Sequence, residues 1–270
     1  MSPEEIAKHR RSLWLRSERA FGLESVGKVE LAAFSPPPAQ TAPRSIAAAQ
    51  SQGPVLPMIT PLMGEVLGGR VLSRPEKIEQ LARMEADEVR NCKLCRLCER
   101  RKNTVFGEGD PDAKIFFIGE GPGENEDLQG RPFVGRAGDL LNKMIAGMGL
   151  RREQVFIANI VKCRPPDNRV PAPDEVETCT PYLVRQLEII RPQVIVTLGL
   201  PAAKYMLESK STMGKLRGHW HNWRGIKLMP TFHPAYLLRS YTEENRGAVW
   251  SDLKQVMAEV GLPIPARTRE

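Results

Sequence analysis

No apolar run of signal-peptide or membrane-spanning length occurs in the 270 residues of this chain. Secretion and bilayer insertion are therefore not expected, and the protein reads as cytoplasmic. Cysteine is scarce, with only Cys92, Cys95, Cys98, Cys163 and Cys179. In a reducing compartment so few thiols read as metal ligands or free thiols rather than as a disulfide framework. Acidic residues fall short of basic ones, 32 against 39, for a formal charge of +7. That balance favours a polyanionic partner over an acidic substrate. The length suits one mid-sized domain with appendages better than two domains.

The first part of the chain is poor in hydrophobic periodicity. Residues 3–25 carry Ile6, Leu13 and Trp14 among Arg10, Arg11, Arg16 and Arg19, the pattern of a short basic amphipathic helix. Its plain reading is a solvated helix or tail; the alternative is a docking element for a protein partner. Residues 35–62 mix Pro, Ala, Ser and Gln without a period and read as a semi-extended linker. The expected division is thus an N-terminal segment and linker, 1–74, and a folded domain, 75–270.

From Pro75 the pattern changes. Ile78, Leu81, Ala82 and Met84 recur at helical spacing and lead into the cysteines. Apolar strands are then expected at 114–119, 154–160 and 193–199, helices at 137–149, 174–190, 201–208 and 244–260, and a hairpin at 219–230. Strands apolar on both faces and separated by helices indicate a parallel sheet covered on both sides. Such sheets carry their sites at the carboxyl ends of the strands, which here means the loops after 119, 160, 199 and 230.

Three of those loops hold notable residues. The first, GEGPGENEDLQGRPFVG, starts at Gly119. Its G-x-G-x-G spacing departs from the dinucleotide fingerprint, and Glu120, Glu124, Glu126 and Asp127 would repel a pyrophosphate. The glycines let backbone approach a ligand closely, and the acids suit a cationic centre or an activated water. The second loop begins at Asn159, an amide at an apolar strand end that needs hydrogen-bond partners, and continues through the rigid KCRPPDNRVP run. The third, TFHPAYLLRS, fixes His233 before Pro234.

These stretches in order, CKLCRL, VFGEGDPDAKIFFIGEGPGE, GRPFVGRAGDLLN, NIVKCRPPDNRVP, Cys179, GLPAAKYML and FHPAYLLR, resemble the iron–sulfur type, family 4, of the uracil-DNA glycosylases. The resemblance runs from about Asn91 to Arg239 and into the last helix, and it does not reach residues 1–74. It implies a three-layer α/β/α sandwich around a central, mainly parallel four-stranded sheet, plus an extended N-terminal appendage. It also implies a monofunctional hydrolase of base excision repair that flips uracil out of DNA and cleaves its N-glycosidic bond. A monomer in the cytoplasm, associated with the nucleoid, is the expected setting, and a repair or replication protein is the partner that a docking element in residues 3–25 would meet.

Carried over residue by residue, the resemblance assigns Glu120, Gly121 and the loop to Glu126 to water and sugar, with Gly123 near the base. Phe133 would stack on the uracil, Asn159 read its edge, and His233 face its carbonyl. Another branch of the superfamily has an aspartate where Gly121 stands, so the base role is open among Glu120, Glu126 and an unassisted water; Glu126 is favoured. The bulky residue that excludes thymine in that branch is also missing, since Gly123 falls near its place. The tip Tyr236, Leu237, Leu238 and Arg239 is the expected wedge into the vacated stack. Lys162, Arg164, Arg169 and Arg239 are candidate phosphate contacts.

The cysteines taken alone fit either an iron–sulfur or a zinc site, because no fourth cysteine and no proline follow Cys98 in ERRKNT. The resemblance implies a [4Fe–4S] cluster on Cys92, Cys95, Cys163 and Cys179, with Cys98 spare and an exchange with Cys92 the alternative. The competing functional reading is an iron–sulfur DNA-binding or docking module without glycosylase activity.

Overall fold

The computed structural model describes residues 70–264, all within one unit spanning Pro57–Glu270. The expected N-terminal helix, the linker and most of the 1–74 segment lie outside the described residues.

Chain order is helix α1 (Arg74–Arg83), strand β1 (Glu108–Gly109), β2 (Ile115–Gly119), α2 (Glu124–Gln129), α3 (Gly135–Gly147) and β3 (Phe156–Asn159). Then come α4 (Pro173–Ile190), β4 (Val194–Leu198), α5 (Leu200–Leu207), α6 (Met213–Leu216), β5 (His221–Trp223), β6 (Ile226–Thr231), α7 (Pro234–Arg239) and α8 (Glu243–Glu259). The sheet order is β1-β3-β2-β4-β6-β5. Its four central strands are mutually parallel, as expected, and the short strands β1 and β5 add an antiparallel edge on each side.

Alternation along the strands explains the layers. In β2, Phe116 and Ile118 face one core together with Tyr182, Leu183, Leu187 and Ile190 of α4 and Met206 of α5. Ile115 and Phe117 face the other, with Leu141 and Ile145 of α3 and Val249, Leu253 and Val256 of α8. Because successive side chains point to opposite faces, a strand buried at every position, such as IFFIG or VIVTL, requires helices on both sides. The result is the α/β/α sandwich.

Helix α1 begins at Ser73, whose hydroxyl meets Glu76 at 2.6 Å, with Arg74 and Pro75 in the first turn. It differs from the sequence expectation in its inward face. Leu81 and Met84 are buried as expected, but Ile78 is 49% exposed and Lys77 is buried instead. The Lys77 ammonium reaches Asp112 at 2.8 Å and the Ile190 carbonyl at 3.1 Å, so its aliphatic stem covers the core while its head is paired.

One buried polar cluster fixes the last sheet strand to the last helix. Asp252 of α8, fully buried, accepts from Thr231 Oγ1 at 2.7 Å at the end of β6 and from both Arg217 Nε and Nη2. Removing one partner of a buried pair leaves an uncompensated charge. Asp252→Ala is expected to lower unfolding stability by roughly 3–5 kcal/mol, read by urea denaturation.

Candidate active site

The carboxyl ends of the four parallel strands converge as the topology requires. Gly119 of β2 is in register with Asn159 of β3, and Gly199 after β4 donates its amide to the Thr231 carbonyl at 2.9 Å. Asn159 is 2% exposed, and its side-chain Oδ1 has no hydrogen-bond partner. An orphaned buried acceptor costs about 1–3 kcal/mol, a cost that a ligand donating to Oδ1 would remove. A Cβ on Gly119 would lie 2.3 Å from Asn159 Oδ1 and 2.6 Å from Phe133 Cζ. Glycine here is the condition for amide and phenyl ring to meet at one spot.

Phe133 and His233 stack with ring centroids 5.4 Å apart and planes at 30°. His233 caps α7, its Nδ1 accepting from the Ala235 amide at 3.0 Å. An accepting Nδ1 places the ring proton on Nε2. Burial, with a further push from positive Arg239, lowers the imidazole pKa to about 4. The ring is therefore neutral at physiological pH and offers Nε2–H as a donor without a net charge.

Phe133 adopts φ +50°, a left-handed conformation that aromatic residues rarely take. Three contacts hold it there. Arg152 donates to the Pro132 carbonyl at 2.5 Å, and the Val134 amide donates to Glu126 Oε1 at 3.0 Å. The Phe133 carbonyl also lies so close to α3 that a Cβ on Gly138 would approach it to 1.9 Å. Glu108 of β1 in turn receives both Arg131 and Arg152. Neither the strain nor the Gly138 approach is visible in a local pattern.

The two candidate bases separate clearly. Glu126 is occupied, its Oε2 accepting the Gly123 amide at 3.1 Å and its Oε1 the Val134 amide, so it works as the brace of its own loop. Glu120 is half-buried, and burial alone raises its carboxyl pKa. The sequence reading favours Glu126; in the structure its two oxygens are taken by backbone amides, and those of Glu120 are not. Gly121 has a physical reason of its own: a Cβ there would stand 2.8 Å from Val161 Cγ2, with Pro165 and Pro171 beyond. Val161 is the neighbour that leaves no room for a side chain at this position.

The expected wedge is corrected in one position. Leu237 is 2% exposed and packs in the core shared with α3 and α8, because one face of the short helix α7 must turn inward. Tyr236 and Arg239 are exposed and Leu238 partly so, with Tyr236 4.9 Å from the Phe232 ring. Among the candidate phosphate contacts, Arg239 stays on the surface and Arg164 bonds Asn168 Oδ1 at 2.8 Å. Arg169 is engaged by the fully buried Glu175 at 2.6 and 2.8 Å. Lys162 is 1% exposed, which removes it from any DNA-facing role.

All five cysteines line one pocket, with Arg101, Lys162 and Tyr182. Each of three sulfurs receives a donor: Cys179 the Lys162 amide at 3.2 Å, Cys163 the Arg101 guanidinium at 3.0 Å, and Cys92 the Tyr182 hydroxyl at 3.6 Å. As free thiols Cys163 and Cys179 are held neutral, burial pushing Cys163 up to about 11 and Cys179 up to about 12. Among the described residues no three His, Cys, Asp or Glu side chains stand close enough to hold a single metal ion. Converging thiols with donors aimed at sulfur suit a multinuclear centre, whose ligands bind separate metal atoms. Arg101, Tyr182, Lys162 and Gln186 escaped sequence reasoning as pocket neighbours, because their partners lie in distant segments.

A family model described as the uracil DNA glycosylase superfamily matches residues 106–254. The chain belongs to that superfamily. It is 48% identical over 179 residues to a type-4 uracil-DNA glycosylase of Thermotoga maritima, covering 66% of this chain and 93% of that protein. It is 49% identical to a protein of the same description from Saccharolobus solfataricus, over 63% of this chain and 82% of the relative. With one from Archaeoglobus fulgidus it shares 45% identity, over 63% and 88%. The superfamily match takes in Glu120, Phe133, Asn159, Cys163, Cys179 and His233, whereas Cys92, Cys95 and Cys98 precede it.

Within this superfamily domain the Phe133 turn is the most demanding local geometry. Gly138→Ala forces that turn apart, and an ångström-scale displacement of a substrate-positioning group costs about 100-fold. The expected result is a drop of that size in kcat/KM on the substrate named below, with the far-ultraviolet circular dichroism of the sandwich retained.

Proposed function

We propose that the chain excises uracil from DNA by hydrolysing its N-glycosidic bond, leaving an abasic site for base excision repair. The observation that carries this reading is the unpaired, buried Oδ1 of Asn159 beside the Phe133 and His233 rings. Extruding a base from duplex DNA costs a few kcal/mol, and stacking on Phe133 would return roughly 1–3 kcal/mol. Asn159 Oδ1 accepts from uracil N3–H while its amide group donates to O4. Cytosine presents the opposite pattern at both atoms and would leave buried groups unpaired.

Uracil departs as an anion from an oxocarbenium-like sugar, so the site must stabilise charge at both ends. The neutral Nε2–H of His233 donates to the uracil O2 as negative charge gathers there. Glu120 lies on the sugar side and takes a proton from the attacking water. Gly121 and Gly123 allow the backbone near the sugar, and Glu126 keeps their loop in place. Leu238 and Arg239, with Tyr236, fill the vacated stack, and Arg164 and Arg239 meet phosphates. The protein acts as a cytoplasmic monomer on nucleoid DNA.

Cys92, Cys95, Cys163 and Cys179 hold a [4Fe–4S] cluster in this reading, and when bound it ties the segment before β1 to the loop behind Asn159. The converging thiols and their sulfur-directed donors support it. Glu175 braces the same region, accepting from Arg96 beside Cys95 and from Arg169 and the Ala172 amide on the proline-rich loop.

The intact protein is expected to produce alkali-labile sites in uracil-containing oligonucleotides, single- or double-stranded. His233→Ala and Asn159→Ala should each lose roughly 100-fold or more of the rate, the cost of one deleted charge-stabilising donor. No cleavage by the intact protein would favour a binding module instead.

The pH dependence follows from the two shifted groups. A base with a raised pKa loses its charge as pH falls, so kcat/KM should decline in acid at a pH above the ordinary carboxylate value of about 4.3. Glu120→Gln should lower the rate and abolish that limb. With His233 near pKa 4, no limb at the ordinary imidazole pH should appear; one that vanishes in His233→Ala would contradict the neutral-donor role.

A further inference from the structure

Lys162 is the most unusual charge in the molecule. Its side chain is 1% exposed, and its ammonium bonds the Asn159 carbonyl at 2.9 Å and Gln186 Oε1 at 2.7 Å, both neutral acceptors. Lys77, the other buried lysine among the described residues, has Asp112 as its counter-charge. Among the described residues no carboxylate pairs with Lys162, and the pocket it lines holds the five cysteines. An ammonium taken out of water without an anion is costly, and burial lowers the Lys162 pKa to about 7; negative charge in that pocket would hold the group protonated.

The surroundings leave the ammonium little freedom. The Lys162 amide donates to Cys179 Sγ at 3.2 Å, and its carbonyl accepts from the Val105 amide at 2.7 Å. Gln186 is itself anchored, donating to the Phe106 carbonyl at 2.9 Å. One side chain therefore reaches from the cysteine pocket to the peptide group of the residue that reads the base.

We infer that Lys162 is a positioning residue for uracil excision, the counter-charge of the thiolate-held cluster whose ammonium fixes the carbonyl of Asn159 and so transmits cluster occupancy to base recognition. This rests on the cofactor reading above. A cluster bound by four thiolates is net negative, and a cation beside it favours its more negative, reduced state. The same cation orients the β3 terminus that aims Asn159 at the base.

The experiment compares intact protein, Lys162→Met and Lys162→Arg, purified anaerobically, by iron and sulfide content, cluster midpoint potential, and kcat and KM on a uracil oligonucleotide. Lys162→Met is expected to shift the potential to more negative values and to lower kcat/KM by roughly 10–100-fold, the usual cost of losing a group that orients a metal ligand or its neighbour. Lys162→Arg should retain the cluster and a potential near that of the intact protein. If Lys162→Met fails to load iron while Lys162→Arg loads it, the need for charge is upheld. Loss of iron in both alike, or an unchanged potential and rate in an iron-loaded Lys162→Met, would overturn the inference. Intact protein without iron would overturn the cofactor reading together with it, and that result is visible before any variant is compared.

Discussion

The site depends on one close approach: the end of β3 meets the end of β2 at Gly119, leaving the Asn159 amide and the Phe133 ring at a single point. A side chain at Gly119 would occupy the place of the amide oxygen. Everything around this contact holds it in position. Arg152, Glu126 and Gly138 clamp the Phe133 turn, while Thr231 and Asp252 anchor the strand that delivers His233. Residues remote from the chemistry thus act through backbone position, the general way in which rigid elements orient functional groups.

The cysteine pocket and the base pocket are two faces of one loop. Residues 159–163 carry Asn159 at one end and Cys163 at the other, with Lys162 turned back between them. Under the proposed function, a cluster held there would have a mechanical reason to lie near the hydrolytic site without entering the reaction. The same economy appears at Glu175, where one buried carboxylate joins the Arg96 turn to the proline-rich loop, and paired guanidinium groups hold its pKa at about 2.

Neutrality is the common electrostatic theme. His233 is kept uncharged by burial, Glu120 is pushed toward protonation, and the amide of Asn159 carries no charge at all. A site that must tell uracil from cytosine reads donors and acceptors, so dipoles of fixed direction serve better than mobile ions. Formal positive charge sits elsewhere, on surface groups such as Arg239.

Most of the sandwich was legible in the sequence because its signals are local. Runs such as IFFIG and VIVTL declare strands buried on both faces, and the intervening periodicities declare the helices that bury them. Glu120, Asn159 and His233 stood out as residues beside the ends of parallel strands, whereas Phe133 and all the site roles came from the family resemblance. Tertiary structure alone decided which members of each set do what. Leu237 turned inward because α7 is short and packs by one face, and Ile78 exchanged places with Lys77 because Asp112 and the Ile190 carbonyl lie opposite. Glu126 braces its own loop because two backbone amides, one from a turn beyond the helix, claim its oxygens. Lys162, a surface cation by composition, became the core's unpaired charge because its loop is enclosed by α4 and the cysteines. Periodicity and residue type depend on near neighbours in the chain, whereas partnership, burial and protonation depend on segments that only folding brings together.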